Sequence, residues 1–209
     1  MKEVPVYNTS GEQVDTLEVD EALFGSTVNV SLLKQAVVAH QANHRHGTVA
    51  TRNRARTAGS TRKLFRQKGT GNARRGQRRT NLLKGGGMAF AKQPKTIRKK
   101  MPRKMRKAAL ASAILAKLLG QDLLVVDGLS FDRPRTGEMA AVLRNLRIDR
   151  SCLLTLAQRD SNVYLSSRNI ADLTVRIADE LNAAEVATRQ KMLVTREAMD
   201  ALLAQEAQS

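Results

Sequence analysis

The chain has 209 residues, with 36 Lys and Arg against 19 Asp and Glu, a formal net charge of +17 and a pI near 10.9. Its 42% of hydrophobic residues suffices for one packed core, yet no apolar run reaches the length that crosses a bilayer. A single cysteine, Cys152, excludes an intrachain disulfide framework and a paired-thiol metal or redox site.

Met1 to Val6 contain no apolar signal core, and six acids in residues 1–21 argue against a transit peptide, so a cytosolic protein is expected. Val4 and Val6, then Val14, Leu17 and Val19, flank the turn-like Thr9-Ser10-Gly11 and predict two short antiparallel strands. Leu32, Leu33, Ala36, Val37, Val38 and His40 predict a helix, with Asn29 or Ser31 as its cap.

Where that helix ends the composition changes. From Arg45 to Lys107 there are 22 bases in 63 positions, no acid, and eight of the chain's 13 glycines. Residues 1–21, by contrast, hold one base and six acids, and residues 122–209 hold 11 bases and 13 acids. Unrelieved like charge repels itself, so a folded acid-free segment needs an external polyanion; a disordered basic linker is the bland alternative.

After the basic segment, Pro102 opens a helix from Arg103 to Leu119, with Leu110, Ile114 and Leu118 as its apolar stripe and Gly120 as its stop. Strand-length apolar bursts follow at Leu123–Val126, Cys152–Leu156, Leu173–Ile177 and Met192–Val194. Helical stretches lie between them at Gly137–Leu146, Ser161–Ser167 and Ala183–Arg189, and Thr195 is expected to cap a last helix through Leu203. Such alternation predicts an α/β protein: a three-layer α/β/α body with a mostly parallel sheet, formed by residues 1–44 and 108–209. Residues 45–107 are then an extended loop inserted in the body, with a reach of up to ~100 Å if fully stretched.

The loop's residue types favour RNA among polyanions. In Thr48-Val49-Ala50-Thr51-Arg52-Asn53-Arg54-Ala55-Arg56, guanidinium groups alternate with small residues, so backbone can approach phosphates while the arginine forks bind them. Gln67-Lys68-Gly69-Thr70-Gly71-Asn72-Ala73-Arg74-Arg75-Gly76 adds glycines for close approach and amides that can bond base edges or 2′-hydroxyls. Arg45, Arg62, Lys63, Arg66, Arg78, Arg79, Lys84 and Lys95 are further candidate phosphate ligands, and Phe65 and Phe90 can stack on unpaired bases. With aromatics at 3% of the chain, stacking is the minor term.

Seven more bases, Arg98, Lys99, Lys100, Arg103, Lys104, Arg106 and Lys107, crowd the start of the helix after Pro102. There they oppose the helix dipole, and a bound phosphate would reverse that sign. A membrane-surface helix is the weaker reading, because the stripe fits a protein core and has no interfacial Trp or Tyr.

Gly47-Thr48, Thr51-Arg52, Arg66 through Arg74, Gly85-Gly86-Gly87-Met88-Ala89-Phe90 and Pro94-Lys95 together resemble the universal large-subunit ribosomal protein four family, in its bacterial form. The resemblance continues through Leu124-Val125-Val126-Asp127, Ser167-Arg168-Asn169 and Leu181-Asn182, and so covers nearly the whole chain. The family's frequent Pro-Trp before Arg-Gln-Lys-Gly is Leu64-Phe65 here. The resemblance implies a non-enzymatic structural protein in the cytoplasmic ribosome, with large-subunit ribosomal RNA and neighbouring ribosomal proteins as partners. It adds Gly86 and Gly87 to the RNA-binding set. It also implies a body on the subunit surface and a loop along the nascent-peptide exit tunnel, with Arg62, Lys63, Leu64, Phe65, Arg66 and Gln67 lining the tunnel.

Enzyme readings fall away on chemistry. Gly71 to Arg78 has phosphate-loop glycine spacing without its Lys-Ser/Thr, and Gly69-Thr70-Gly71 lacks the third glycine of a dinucleotide site. His40, His44 and His46 lack the partners of a metal centre, so neither metal nor cofactor is expected. Asp127, at a strand end, reads as a turn residue with Gly128. A nucleic-acid chaperone or nucleoid-type binder with a disordered basic arm is the alternative function. No membrane or small-molecule substrate is implied.

Overall fold

A computed structural model describes residues 1–207. Six strands form one sheet in the order β2-β1-β3-β6-β4-β5. They are β1 (Lys2–Tyr7), β2 (Gln13–Val19), β3 (Leu123–Val126), β4 (Cys152–Leu156), β5 (Leu173–Ile177) and β6 (Lys191–Thr195). Only β2 is antiparallel to its neighbour, with Val4 opposite Leu17; every other pairing is parallel. The helices are α1 (Val30–His44), α2 (Arg103–Leu119), α3 (Thr136–Asn145), α4 (Ser161–Ser167), α5 (Ala183–Thr188) and α6 (Arg196–Ala207). The fold is thus the α/β arrangement that the alternating pattern implies, with two short 3₁₀ turns, Glu21–Phe24 and Ala178–Glu180, that no periodicity announced.

Side-chain alternation along the central strands sorts the core onto two faces. Val125, Leu153, Met192 and Val194 pack with Ala113 and Ile114 of α2, Val186 of α5 and Met199 of α6. Their neighbours Val126, Leu154 and Leu193 pack instead with Met139 and Val142 of α3 and Val163 of α4. Both faces are therefore covered, which is why β4 is buried along its whole length.

Caps follow residue chemistry at three of the six α-helix starts. Asn29 Oδ1 accepts from Leu32 N at 3.0 Å, so Asn29 rather than Ser31 begins α1. Asp160 and Asn182 likewise accept from the first turns of α4 and α5. Thr195 departs from expectation. It ends β6, its Oγ1 is buried without a hydrogen-bond partner among the described residues, and α6 continues past Leu203 to Ala207. A strand-end side chain turned toward packed neighbours cannot bend back to cap the helix that follows it.

The described chain separates into two compact units, Met1–Gln41 with Lys100–Ser209, and Ala42–Lys99. The first holds the sheet and its helices. The second, with 17 bases and no acid, carries the whole of the chain's net charge of +17, the first holding 19 bases and 19 acids.

Candidate nucleic-acid interface

Beyond the last turn of α1, Ala42–Lys99 has no helix or strand, yet it is not unpaired. Asn43 Nδ2 donates to the Lys99 carbonyl at 3.2 Å, and Lys99 N–H returns a bond to Asn43 Oδ1 at 2.8 Å. Lys95 N donates to Gly47 O at 3.1 Å, Thr51 N to Lys92 O at 2.9 Å, and Met88 N to Arg52 O at 2.9 Å. Lys92 N closes on Thr51 Oγ1 at 2.7 Å. Further along, Leu64 N donates to Gly76 O at 3.1 Å beside an antiparallel bridge between Lys63 and Gln77. These pairs are nested, and all centre on Thr70–Asn72. The segment is folded back on itself as an irregular antiparallel ribbon pinned by these backbone pairs.

Between the two paired stretches the chain crosses closely. Asn53 Oδ1 accepts from Ala55 N at 3.1 Å and Arg56 N at 2.9 Å, which tightens a turn. Opposite it, Gly86 and Gly87 pass so near the backbone that a Cβ would overlap Thr80 O at Gly86 and Arg54 N at Gly87. Only glycine fits that crossing. Within the turn beyond the bridge, Arg66 Nη2 donates to Gly69 O at 3.0 Å, and Lys63 Nζ bonds Gln67 Oε1. Lys63, Gln67, Arg74 and Arg75 border an open concavity of about 430 Å³.

Among the sequence-chosen RNA ligands, the arginines and lysines of this unit are exposed, from Arg45 and Arg52 through Arg74, Arg75 and Arg78 to Lys84, Lys95, Arg98 and Lys99, with Arg79 the exception. No ion pair among the described residues involves any of them. Phe90 stands 97% exposed, whereas Phe65 is half-buried. Thr51, chosen as a ligand, is occupied by Lys92, and Thr70 is half-buried. Asn43 was not singled out by the sequence, because an amide that pairs with backbone 56 residues away leaves no local pattern.

Residues 17–205 match the profile of the ribosomal protein L4/L1 family. The chain belongs to that family. The large ribosomal subunit protein uL4 of Pelotomaculum thermopropionicum is 43% identical over 199 residues, 95% of this chain and 96% of that protein. The uL4 of Symbiobacterium thermophilum is 41% identical over 199 residues, with the same coverage. That of Dehalococcoides mccartyi is 41% identical over 197 residues, 94% of each chain.

As an L4/L1 family member the chain is a ribosomal structural protein and not an enzyme, and the near-miss glycine patterns acquire a structural meaning: they lie in the irregular ribbon with no strand before them. The L4/L1 body presents a second group of cations. Arg103, Lys104, Arg106 and Lys107 are exposed on the opening turns of α2, where the first turn has no acid and Pro102 supplies no side-chain cap. At the other end of α2, Lys117 Nζ donates to the carbonyls of Arg189 at 2.6 Å and Gln190 at 2.8 Å, tying the helix to the approach into β6. Burial lowers the pKa of Lys117 against the pull of nearby Asp122. Arg176 on the edge strand forms a bidentate pair with Glu185 at 2.8 and 2.6 Å, which raises its pKa. No helix of the described residues is long and apolar enough to cross a membrane, and among them no group of three or more His, Cys, Asp or Glu is placed to hold a metal ion.

Proposed function

We propose that this chain binds large-subunit ribosomal RNA, with Ala42–Lys99 as the principal contact and the start of α2 as a second. The observation that carries the reading is charge without compensation: seventeen bases and no acid lie in Ala42–Lys99, and sixteen of the seventeen are exposed. With sixteen exposed cations and no acid, the charge that the ribbon presents outward is wholly positive. Irregular backbone with exposed guanidinium forks suits the uneven surface of a folded RNA better than the regular groove of a duplex. The relatives' name, large ribosomal subunit protein, supports the same partner and a cytoplasmic, ribosome-bound location beside neighbouring ribosomal proteins.

The body is assigned to the subunit surface, and the turn closed by Lys63 and Gln77 to the wall of the nascent-peptide exit tunnel. Arg62, Lys63 and Arg66 supply cations there for RNA phosphates, and Leu64 and Gln67 are exposed for contact with the lumen. Two measurements test the assignment. Native protein should sediment with the large subunit through a high-salt wash; release into the free fraction would leave only non-specific nucleic-acid binding. Ribosomes that incorporate Lys63→Glu should show altered affinity for a tunnel-binding antibiotic and altered stalling on arrest peptides. Wild-type values for both would move the tunnel contact elsewhere in the ribbon.

A further inference from the structure

Of the seventeen bases in Ala42–Lys99, Arg79 alone is not exposed. Its Nη1 donates to two backbone carbonyls far away in sequence, Thr57 O at 3.2 Å and Ala55 O at 3.4 Å. Its Nε is buried and has no hydrogen-bond partner among the described residues. The aliphatic stem runs beneath Gly59, where a Cβ would come within 3.1 Å of Arg79 Cγ. Its own carbonyl accepts from Gly87 N at 3.1 Å, at the crossing where Gly87 passes Arg54. One side chain and its backbone thus join the 53–59 turn, the 77–80 turn and the glycine crossing.

We propose that Arg79 is a positioning residue for the RNA interface and not a phosphate ligand, an inference that rests on the RNA-binding reading of the ribbon. The carbonyls of Ala55 and Thr57 lie in irregular backbone and accept from no backbone N–H among the described residues. A guanidinium supplies the charge-assisted donor that holds them. Arg54 and Arg56 flank Ala55 on that same backbone, so the grip of Arg79 sets where their exposed forks point. A ribbon fixed in this way presents its cations with less ordering left to be done on binding. Lysine would retain the charge but not the planar fork or the stem packing.

The test uses the full-length chain and an in vitro transcript of large-subunit ribosomal RNA, with binding measured across a potassium chloride series. Arg78, adjacent and exposed, is the comparison. Arg78→Gln should lower the slope of log K against log salt by about 0.7 to 0.9, the signature of one lost phosphate contact. Arg79→Gln should weaken binding by roughly tenfold at every salt concentration with the slope unchanged, and Arg79→Lys should show the same loss. In the RNA-free chain, trypsin should cut after Arg54 and Arg56 faster in both Arg79 variants than in wild type or Arg78→Gln. A slope that falls in Arg79→Gln as it does in Arg78→Gln, or full affinity in Arg79→Lys, would overturn the proposal. If wild type itself binds without salt dependence, the RNA-binding reading fails instead. The digestion then still decides the role of Arg79: unchanged cleavage refutes it.

Discussion

Cys152 and Thr155 lie three residues apart on the most buried strand, and burial acts on their polar atoms in opposite directions. The thiol of Cys152 is 1% exposed, and desolvation pushes its pKa from 9.0 to about 12. In the unfolded chain it ionises near 9.0, so between these values the unfolded state binds fewer protons than the folded one. The stability contribution is therefore complete below the unfolded value and shrinks as pH rises, by about 1.4 kcal/mol per pH unit. Urea midpoints of wild type and Cys152→Ala, compared from neutral pH to pH values above the unfolded thiol's, should converge as pH rises; a constant gap would refute the protonated thiol. Thr155 is fully buried and its Oγ1 has no partner among the described residues. Replacement by Val removes an unsatisfied hydroxyl, keeps a β-branched side chain, and should raise unfolding free energy by about 1 kcal/mol in chemical denaturation. A destabilised Thr155→Val would mean that the hydroxyl has an unseen partner. Neither environment was readable from the sequence, where Cys152 stood out only for being single and Thr155 not at all.

Elements were more legible than residues, because periodic burial writes itself into residue order. Ala109, Ala113 and Leu118 trace the inward face of α2, and the helix occupies Arg103–Leu119 as the stripe demanded. Met139, Val142 and Leu143 do the same for α3. The failures have physical causes. The 3₁₀ turns are too short to show a period, and Thr195 met a capping rule while its side chain belonged to the sheet's packing. The start of α2 turns on competing electrostatics: its first turn brings Arg103 and Lys104 to the positive end of the helix dipole and contains no acid. Lys104→Glu should therefore stabilise the free protein by roughly 0.3–1 kcal/mol, a rise of about 1–4 °C in Tm, while weakening binding to large-subunit RNA. A variant that lowers both Tm and affinity would show that Lys104 serves the fold of the body and not a bound phosphate.

At the scale of the whole molecule, charge sorted the chain before any element was identified. The acid-free stretch marked where the body's periodicity stops, but composition could not show that the stretch pairs with itself. Backbone bonds such as Thr51 with Lys92 and Leu64 with Gly76 need no particular side chains, so they leave no trace in residue order. Asn43 and Asn53 hold their turns through single amides, which occur as freely in unstructured segments. Each of these bonds closes within Ala42–Lys99, and the body's buried clusters include no residue of that span. Because Lys95 N meets Gly47 O at 3.1 Å, Thr48–Pro94 can be replaced by a two-residue Asn-Gly turn without stretching the chain. The shortened protein should keep its far-ultraviolet circular dichroism for the helices and sheet, and its urea midpoint should stay close to that of wild type. It loses thirteen of the unit's seventeen bases and keeps Arg45, Lys95, Arg98 and Lys99, so little more than these and the cations at the start of α2 remains to bind RNA. Its affinity for large-subunit RNA should fall by several orders of magnitude with a shallower salt slope, since each lost phosphate contact removes about 0.7 to 0.9 from that slope. Collapse of the circular dichroism signal would show that the body needs the ribbon to fold. A full salt slope in a folded, shortened protein would place the RNA interface on the body.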